Sequence, residues 1–236
     1  QPATRGKDLT LSLDIELQEL GEQLLQNKIG SIVAIEPATG EVLCMVSSPS
    51  YDPSLLTGRQ RGKNHKELSK DKRKPLMNRA IMGTYPPGST FKTSQALTFL
   101  EEGIITPETS FPCTGGFVFN RFKLGCHAHS SPTPLKPAIA TSCNAYFCWG
   151  LHRMFGSSKY PGGTKEAMNK WRDYMVSMGF GYRLGIDLPG EARGMIPNAE
   201  YYTKHYGNYW RAVTVISISI GQGEVTLTPL QIANLG

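Results

Sequence analysis

The chain contains, at residues 85–92, the stretch Tyr-Pro-Pro-Gly-Ser-Thr-Phe-Lys, and an apolar run follows it and ends at Gly103. Proline inside a helix removes a hydrogen bond and clashes with the preceding turn, so a helix is predicted to start after the two prolines. Gly103 can adopt the left-handed conformation that ends a helix. Ser89 and Lys92 are three residues apart, so they face the same side of this helix. A neutral lysine amine placed there can take the serine proton and make the serine a nucleophile.

The same S-x-x-K spacing occurs again at Ser69 and Lys72. Both residues lie in the polar stretch 59–74, which shows no helical periodicity and which we interpret as a solvated loop. A lysine in water stays protonated, so this second pair is not a catalytic candidate. The stretch holds eight basic and two acidic residues and accounts for the whole net charge of +6. Without interleaved aromatic residues or a known motif it predicts no nucleic-acid partner; attraction to anionic cell-wall polymer or lipid head groups is the alternative.

A second candidate motif is Ser142-Cys143-Asn144, the only S-x-N sequence in the chain. It follows a proline-rich loop and precedes an amphipathic run that Gly156 ends, so Ser142 and Asn144 are predicted at a helix entrance. One interpretation makes Ser142 or Asn144 the N-cap of that helix. In the other, Ser142 relays a proton while the Asn144 amide positions Lys92 and a substrate carbonyl.

The two motifs together resemble those of the penicillin-binding protein and β-lactamase superfamily of serine acyltransferases. The similarity is greatest to class B penicillin-binding proteins, and within them to the elongation-type penicillin-binding protein 2 group. It runs from about residue 9 to the last residue. Besides the serine stretch, the segments that carry it are residues 30–53, 78–81, 185–191 and 220–233.

The resemblance implies an α+β fold with an antiparallel sheet packed between helices and a helical lobe. The residues agree with this class. Ser31 to Glu36 and Glu41 to Val46 predict a hairpin around a Pro-Ala-Thr-Gly turn. Residues 165–179 carry large apolar side chains at helical spacing, which predicts a helix with a buried stripe.

The predicted organisation has two parts. No stretch reaches the roughly 18 apolar residues of a membrane span, and no signal peptide opens the chain. We expect residues 1–29, with a helix from Leu9 to Leu25, to link a missing pedestal domain to a partial transpeptidase domain at 30–236. The family's third motif, Lys-(Ser/Thr)-Gly, does not occur here. Thr228 and Gln231 predict a capping box, and the C-terminal strands that the family places after this helix are expected to be absent, leaving this fragment inactive and a sheet edge unpaired.

The activity that the resemblance implies is peptidoglycan D,D-transpeptidation through a serine acyl-enzyme at Ser89. Its ligands would be D-alanyl-D-alanine stem peptides and β-lactams, with a membrane glycosyltransferase and the elongation machinery as partners. The location implied is the periplasmic face of the inner membrane, with an anchor outside this chain, and no cofactor is required. A β-lactam sensor, a non-catalytic scaffold, a carboxypeptidase and a serine β-lactamase are the alternatives.

Five cysteines leave at least one unpaired. Cys113 and Cys126 flank a segment that can form a hairpin closed by a disulfide, which would contribute roughly 3 kcal/mol. The alternatives are free thiols and a zinc site. The candidate zinc ligands are Cys113, Cys126, His127, His129 and Cys143. Some elongation-type relatives carry zinc in this neighbourhood.

Overall fold

The computed structural model describes residues 5–236. The chain divides into two compact units, one ending at Gly83 and including Gly236, the other spanning Thr84–Leu235. The first four residues of the expected 1–29 linker lie outside the described residues. No helix within 5–236 combines the length and the apolar character needed to cross a bilayer.

The first unit is built around the predicted hairpin, which is confirmed. Strands β1 (Gly30–Ile35) and β2 (Val42–Ser48) pair antiparallel. Helix α1 (Ile15–Leu24) packs on β2 closely enough that a Cβ at Gly21 would lie 2.8 Å from Val46 Cγ2. The unit also contains a 3-10 turn at Pro53–Leu56 and helices α2 (Arg61–Lys70) and α3 (Arg79–Met82).

Two predictions for this unit were wrong. The first helix starts at Ile15 and not at Leu9, because Asp14 caps it through a side-chain bond from Leu17 N while the Asp14 amide bonds to the Leu43 carbonyl. The stretch 59–74 is not a loop, since most of it forms α2. Lysine, arginine, glutamate and leucine favour helix, and a helix that buries no side chain needs no apolar periodicity.

The second unit contains the predicted helix after the two prolines. A 3-10 turn at Gly88–Phe91 runs directly into α4 (Lys92–Glu101), and Gly103 has a φ of +64° just beyond its end, as predicted. Helix α7 (Thr164–Ser177) confirms the second helix prediction and buries Met168, Trp171 and Met175. The remaining elements are β3 (Gly116–Phe119), β4 (Phe122–Gly125), α5 (Leu135–Ala140), α6 (Asn144–Phe155), α8 (Ala199–Tyr206), a 3-10 helix (Ala212–Ile220) and α9 (Pro229–Ala233).

Helix α6 runs through the core of this unit. At its crossing with α4 a Cβ on Gly150 would lie 2.5 Å from the Phe99 ring, so only glycine allows this separation. Phe91, Phe147 and Trp171 are fully buried and belong to the same hydrophobic core. Close packing of α4 on α6 fixes the serine turn relative to the S-x-N motif, because each motif lies at the start of one of these helices.

Sheet structure within residues 5–236 consists of two separate two-stranded sheets, β1–β2 and β3–β4. The capping box at the start of α9 is confirmed, with Thr228 Oγ1 accepting from Gln231 N at 3.1 Å and Gln231 Oε1 accepting from Thr228 N at 3.0 Å.

Candidate active site

The serine of the S-x-x-K motif lies in the 3-10 turn that opens α4. Its side chain is exposed, and its hydroxyl has no hydrogen-bond partner among the described residues. The Ser89 carbonyl accepts a hydrogen bond from the Lys92 amide, and this bond connects the turn to the first residue of α4. Amides in the first turn of a helix lack an intrahelical acceptor, so the Ser89 N–H is available to a ligand. An accessible hydroxyl and a free amide thus lie side by side.

Two backbone contacts hold this turn in place. The Gly88 amide donates to the Gly221 carbonyl at 2.9 Å, and Tyr85 exchanges two 2.8 Å backbone bonds with Leu227. Gly221 has a φ of +67°, and a Cβ there would overlap the Gly88 carbonyl oxygen. Position 221 therefore requires glycine for two reasons, the positive φ angle and the lack of room for a Cβ atom. From the sequence, residues 220–233 were known only as a segment that resembles the family. Nothing in that segment predicted that Gly221 and Leu227 hold the serine turn in place.

Lys92 is buried, with 2% of its surface exposed. Its Nζ lies 2.7 Å from the Ser142 carbonyl oxygen, 2.9 Å from Ser142 Oγ and 2.7 Å from Asn144 Oδ1. The ring of Phe147 lies 5.7 Å from the same nitrogen and closes one side of the pocket. All three contacts go to the S-x-N motif, so the structure brings Lys92, Ser142 and Asn144 together as one group.

The surroundings of Lys92 favour its neutral form. Burial lowers the pKa of its amine, and nearby thiols, Cys126 first among them, offset part of that shift. A neutral amine has two hydrogens and one lone pair. The hydrogens fit the Ser142 carbonyl and the Asn144 Oδ1, which can only accept, and the lone pair is left for a hydroxyl proton. The site can therefore hold Lys92 as a base.

Ser142 adopts an unusual backbone conformation at the end of α5. Its φ is +53°, its amide bonds to the Ile139 carbonyl at 3.0 Å, and the next amide, that of Cys143, bonds to the Ala138 carbonyl at 2.8 Å. This pair of bonds is the Schellman motif, whose left-handed position usually holds glycine. A serine in the left-handed region costs roughly 1 kcal/mol or more. In return, both the hydroxyl and the carbonyl of Ser142 face Lys92 Nζ.

The N-cap of α6 is neither Ser142 nor Asn144, so that interpretation was wrong. Cys143 caps the helix, its Sγ accepting from Tyr146 N at 3.3 Å. Asn144 instead is the first helical residue. The reason is the preceding Schellman turn, which uses Ser142 to reverse the chain and leaves the capping position to the next residue.

Strand β4 orients Asn144. The Asn144 Nδ2 donates to the Gly125 carbonyl at 2.9 Å, and its backbone amide donates to Cys126 Sγ at 3.2 Å. Because Nδ2 is held by that carbonyl, Oδ1 must face Lys92. The sequence did not connect this hairpin with the S-x-N motif, and the only signal was Cys126, which ends the hairpin and is also a candidate metal ligand.

These motifs agree with a match between residues 30–235 and the penicillin binding protein transpeptidase domain. The chain belongs to the penicillin-binding protein transpeptidase family. The family and the α+β fold that the sequence predicted are therefore confirmed.

Curated and solved relatives of this transpeptidase-family chain are similar over nearly its whole length. The peptidoglycan D,D-transpeptidase MrdA of Acinetobacter baumannii is 39% identical over 98% of the chain and 33% of the relative. The crystal structure of Pseudomonas aeruginosa PBP2 in complex with WCK 5153 has a TM-score of 0.82 and 34% identity, covering 98% of this chain and 50% of that one. The chain spans about a third of the length of the curated MrdA relatives.

Two other solved structures carry information on partners and intermediates. A complex between penicillin-binding protein PBP2 and MreC from Helicobacter pylori has a TM-score of 0.81 and 29% identity, covering 93% of this chain and 39% of that one. Penicillin-binding protein A of M. tuberculosis, described as an imipenem acyl-enzyme complex, has a TM-score of 0.77 and 26% identity, covering 93% and 49%.

A group of sulfur and nitrogen ligands adjoins the S-x-N motif of this transpeptidase-family chain. Ligand atoms of Cys113, Cys126, His129 and Cys143 all lie within 4.8 Å of one another. All five cysteines are free, so of the alternatives for Cys113 and Cys126 the disulfide is not formed. The fifth candidate, His127, is exposed and is not part of the group.

Hydrogen bonds and burial give the cysteines of this group different acidities. Burial by itself raises the pKa of Cys126, but hydrogen bonds from His129 and from backbone amides outweigh it and lower the pKa to about 7. Burial raises the pKa of Cys143 to about 12. Cys148, a fully buried cysteine of α6, is not part of this group.

Proposed function

We propose that the protein carrying this chain is a peptidoglycan D,D-transpeptidase that forms an acyl-enzyme at Ser89. The observation that carries the proposal is the buried Lys92 amine, held by Ser142 and Asn144 one helical turn from an exposed serine hydroxyl. The name of the Acinetobacter baumannii relative supports the reaction, and the imipenem acyl-enzyme of the M. tuberculosis relative supports a covalent intermediate.

In this mechanism neutral Lys92 takes the proton of the Ser89 hydroxyl as Ser89 Oγ attacks the carbonyl carbon of the penultimate D-alanine. Burial makes that possible because it disfavours the ammonium form. The carbonyl oxygen gains negative charge in the tetrahedral intermediate, and the free Ser89 amide can donate to it. The C–N bond then breaks, and D-alanine leaves as an amine.

Ser142 and Asn144 take part in the transfer of the proton to that leaving amine. The proton held by Lys92 passes to Ser142 Oγ, 2.9 Å away, as the hydroxyl gives its own proton to the leaving nitrogen. Asn144 keeps Lys92 in place through the 2.7 Å contact of Oδ1. The acyl group then passes from Ser89 to the amine of a second peptide strand, with the same groups acting in reverse.

The test of the nucleophile is labelling of the complete protein by a fluorescent penicillin. Ser89→Ala should abolish labelling, and Lys92→Ala should slow it by about 10² to 10⁴-fold, as expected for loss of a general base. Ser69→Ala is the matched control, since Ser69 has the same motif spacing but its hydroxyl bonds to the His65 carbonyl at 2.7 Å. Normal labelling of Ser89→Ala would overturn the assignment. Penicillin that stays bound for hours separates a transpeptidase from a β-lactamase.

We propose stem peptides and β-lactams as the ligands of this protein and the elongation machinery as its partner. The PBP2–MreC complex from Helicobacter pylori supports the partner, since the chain has 29% identity with that PBP2. We propose the periplasmic face of the inner membrane as its location, and the proposed reaction on peptidoglycan supports the periplasmic side. Cross-linking in cells followed by recovery of an MreC-type protein tests the partner, and its absence from the cross-linked product would contradict it.

We propose further that Cys113, Cys126, His129 and Cys143 hold a structural zinc ion. Three cysteines and one histidine form a common structural zinc set, and a spread of at most 4.8 Å between ligand atoms suits a tetrahedral ion. His129 Nδ1 lies 2.8 Å from the Ser130 carbonyl, which leaves Nε2, 3.4 Å from Cys126 Sγ, to bind the metal. With four protein ligands the ion would stabilise the fold and leave no open position for catalysis.

The zinc proposal is tested by metal analysis of protein purified under reducing conditions. We expect one zinc per chain in the wild type and loss of it in Cys113→Ser, together with a lower melting temperature. His127→Ala is the matched control and should keep the metal, because His127 lies outside the group. Wild-type protein without stoichiometric zinc would overturn the proposal.

A further inference from the structure

A cavity of about 800 Å³ lies beside the tip of the β3–β4 hairpin, away from the residues of the proposed catalytic site. Its wall combines two arginines with five aromatic or imidazole rings. Those residues are Phe119, Arg121, Phe122, His152, Phe155, Tyr209 and Arg211. The lining contains no acidic side chain, so the cavity is electropositive.

Both arginines of this cavity lie at the surface. Arg121 and Arg211 are exposed, and within residues 5–236 neither forms a salt bridge or a side-chain hydrogen bond to an acidic group. An arginine presents a planar fork of donors that matches a carboxylate. Two such forks in one cavity favour a ligand with more than one carboxylate.

The aromatic rings that line the cavity can pack against the apolar face or the sugar ring of a ligand. Tyr209 is 93% exposed and Phe122 37% exposed, so part of each ring is open to a ligand. His152 packs at a 4.5 Å ring separation on Phe119, and its ring nitrogens have no hydrogen-bond partner among the described residues. Unused polar atoms beside exposed rings indicate a site that binds an amphipathic ligand.

The cavity and the proposed catalytic site share two structural elements, α6 and β4. Asn144 begins α6 and His152 lies eight residues along it, which corresponds to about 12 Å along the helix axis. Gly125, whose carbonyl holds Asn144, is three residues from Phe122 on β4, or about 10 Å. An extended peptide covers about 3.3–3.6 Å per residue, so these separations correspond to the length of three or four residues.

We propose that this cavity binds the carboxylate-bearing part of the peptidoglycan substrate, the sugar-linked end of the stem peptide that precedes its terminal D-alanines. Arg121 and Arg211 pair with its carboxylates, and Tyr209 and Phe122 pack on its sugar or methylene face. The proposal rests on the proposed function for the choice of ligand.

The experiment measures binding of a fluorescent muramyl tripeptide with free carboxylates, which lacks the D-alanyl-D-alanine end, to the Ser89→Ala form of the complete protein. We expect addition of R121Q/R211Q to weaken binding about 10- to 100-fold, since two charge-assisted contacts are lost. The tripeptide with its carboxylates converted to amides should bind the unsubstituted cavity as weakly. R153Q is the matched control and should bind normally, because Arg153 is an exposed arginine on α6 outside the lining.

Equal binding by R121Q/R211Q and its parent, equal binding of the free and amidated peptides, or displacement by pyrophosphate but not by unlabelled tripeptide would each overturn the proposal. The assay involves no covalent step, so its failure is separable from failure of the proposed reaction. Normal penicillin labelling of Ser89→Ala would contradict the reaction and leave the tripeptide binding result as it stands.

Discussion

The amide of Gly88 donates a 2.9 Å hydrogen bond to the carbonyl of Gly221, and this contact joins the serine turn to the end of the 3-10 helix that precedes α9. Both residues have positive φ angles, +60° at Gly88 and +67° at Gly221. The position of Ser89 thus depends on a residue more than a hundred positions further along the chain.

Gly221→Ala should destabilise the chain by more than about 3 kcal/mol and slow penicillin labelling of the complete protein. The added methyl group would need a strained backbone and would overlap the Gly88 carbonyl oxygen. Urea denaturation of the chain and the labelling rate measure the two effects.

Gly103→Ala is the control for backbone strain alone. Gly103 has a φ of +64° but open space around its Cβ position, so we expect a loss of only about 1 kcal/mol and normal labelling. If the two alanine variants behaved alike, the clash with Gly88 would have no part in positioning Ser89.

Ser142→Gly should give a more stable fold than Ser142→Ala by about 1 kcal/mol, although both remove the hydroxyl that contacts Lys92. The reason is the φ of +53°, which glycine adopts freely and alanine does not. Chemical denaturation compares the stabilities, and the labelling rate should fall in both variants. A less stable glycine variant would contradict the Schellman assignment.

The rate of penicillin acylation should rise with pH as Lys92 loses its proton, with a midpoint below the 10.5 of an ordinary lysine. Burial lowers the pKa of this amine, so the active neutral form is reached at lower pH. Lys92→Arg keeps the charge and cannot deprotonate, so its acylation should be slow and lack this rise. A wild-type midpoint at or above 10.5 would argue against Lys92 as the base.

Glu102 should make the stability of the chain depend on acid. Burial by itself raises the pKa of this carboxyl, but hydrogen bonds from Lys159, Tyr160 and Tyr174 outweigh that effect and lower the pKa to about 2. Because the folded pKa is depressed, the stabilisation is complete above the unfolded value of 4.5 and is lost as the pH falls through about 2.

The measurement is urea denaturation of wild type and Glu102→Gln between about pH 6 and pH 2. At the upper end the wild type should be more stable by roughly 3 kcal/mol, and the difference should shrink as the pH falls. Glu101→Gln is the control, since it removes an exposed carboxylate at the neighbouring position, the last residue of α4. A difference that stayed constant with pH would show that Glu102 contributes through packing and not through its charge.

Much of the fold was readable from local signals. The two prolines before Gly88 and the glycine at 103 bounded α4 correctly, and the β-branched runs around the Pro-Ala-Thr-Gly turn indicated β1 and β2. Local prediction failed at residues 59–74, where helix forms without an apolar face, and at Leu9, where a capping aspartate five residues later starts the helix. In neither place does burial of an apolar stripe determine where the helix forms. The periodicity of apolar residues therefore could not reveal these helix boundaries.

Local spacing was enough to predict that Ser89 and Lys92 belong to one candidate site, because a serine and a lysine three residues apart on a helix must share a face. It could not show that the Lys92 amine points to Asn144 Oδ1, 2.7 Å away, or that Gly221 supports the serine turn. Nor could it show that β4 orients Asn144 and that the side chains of Cys113, Cys126, His129 and Cys143 meet beside it. These contacts join residues far apart in the chain, and their distances are set by the long-range packing of helices such as α4 and α6.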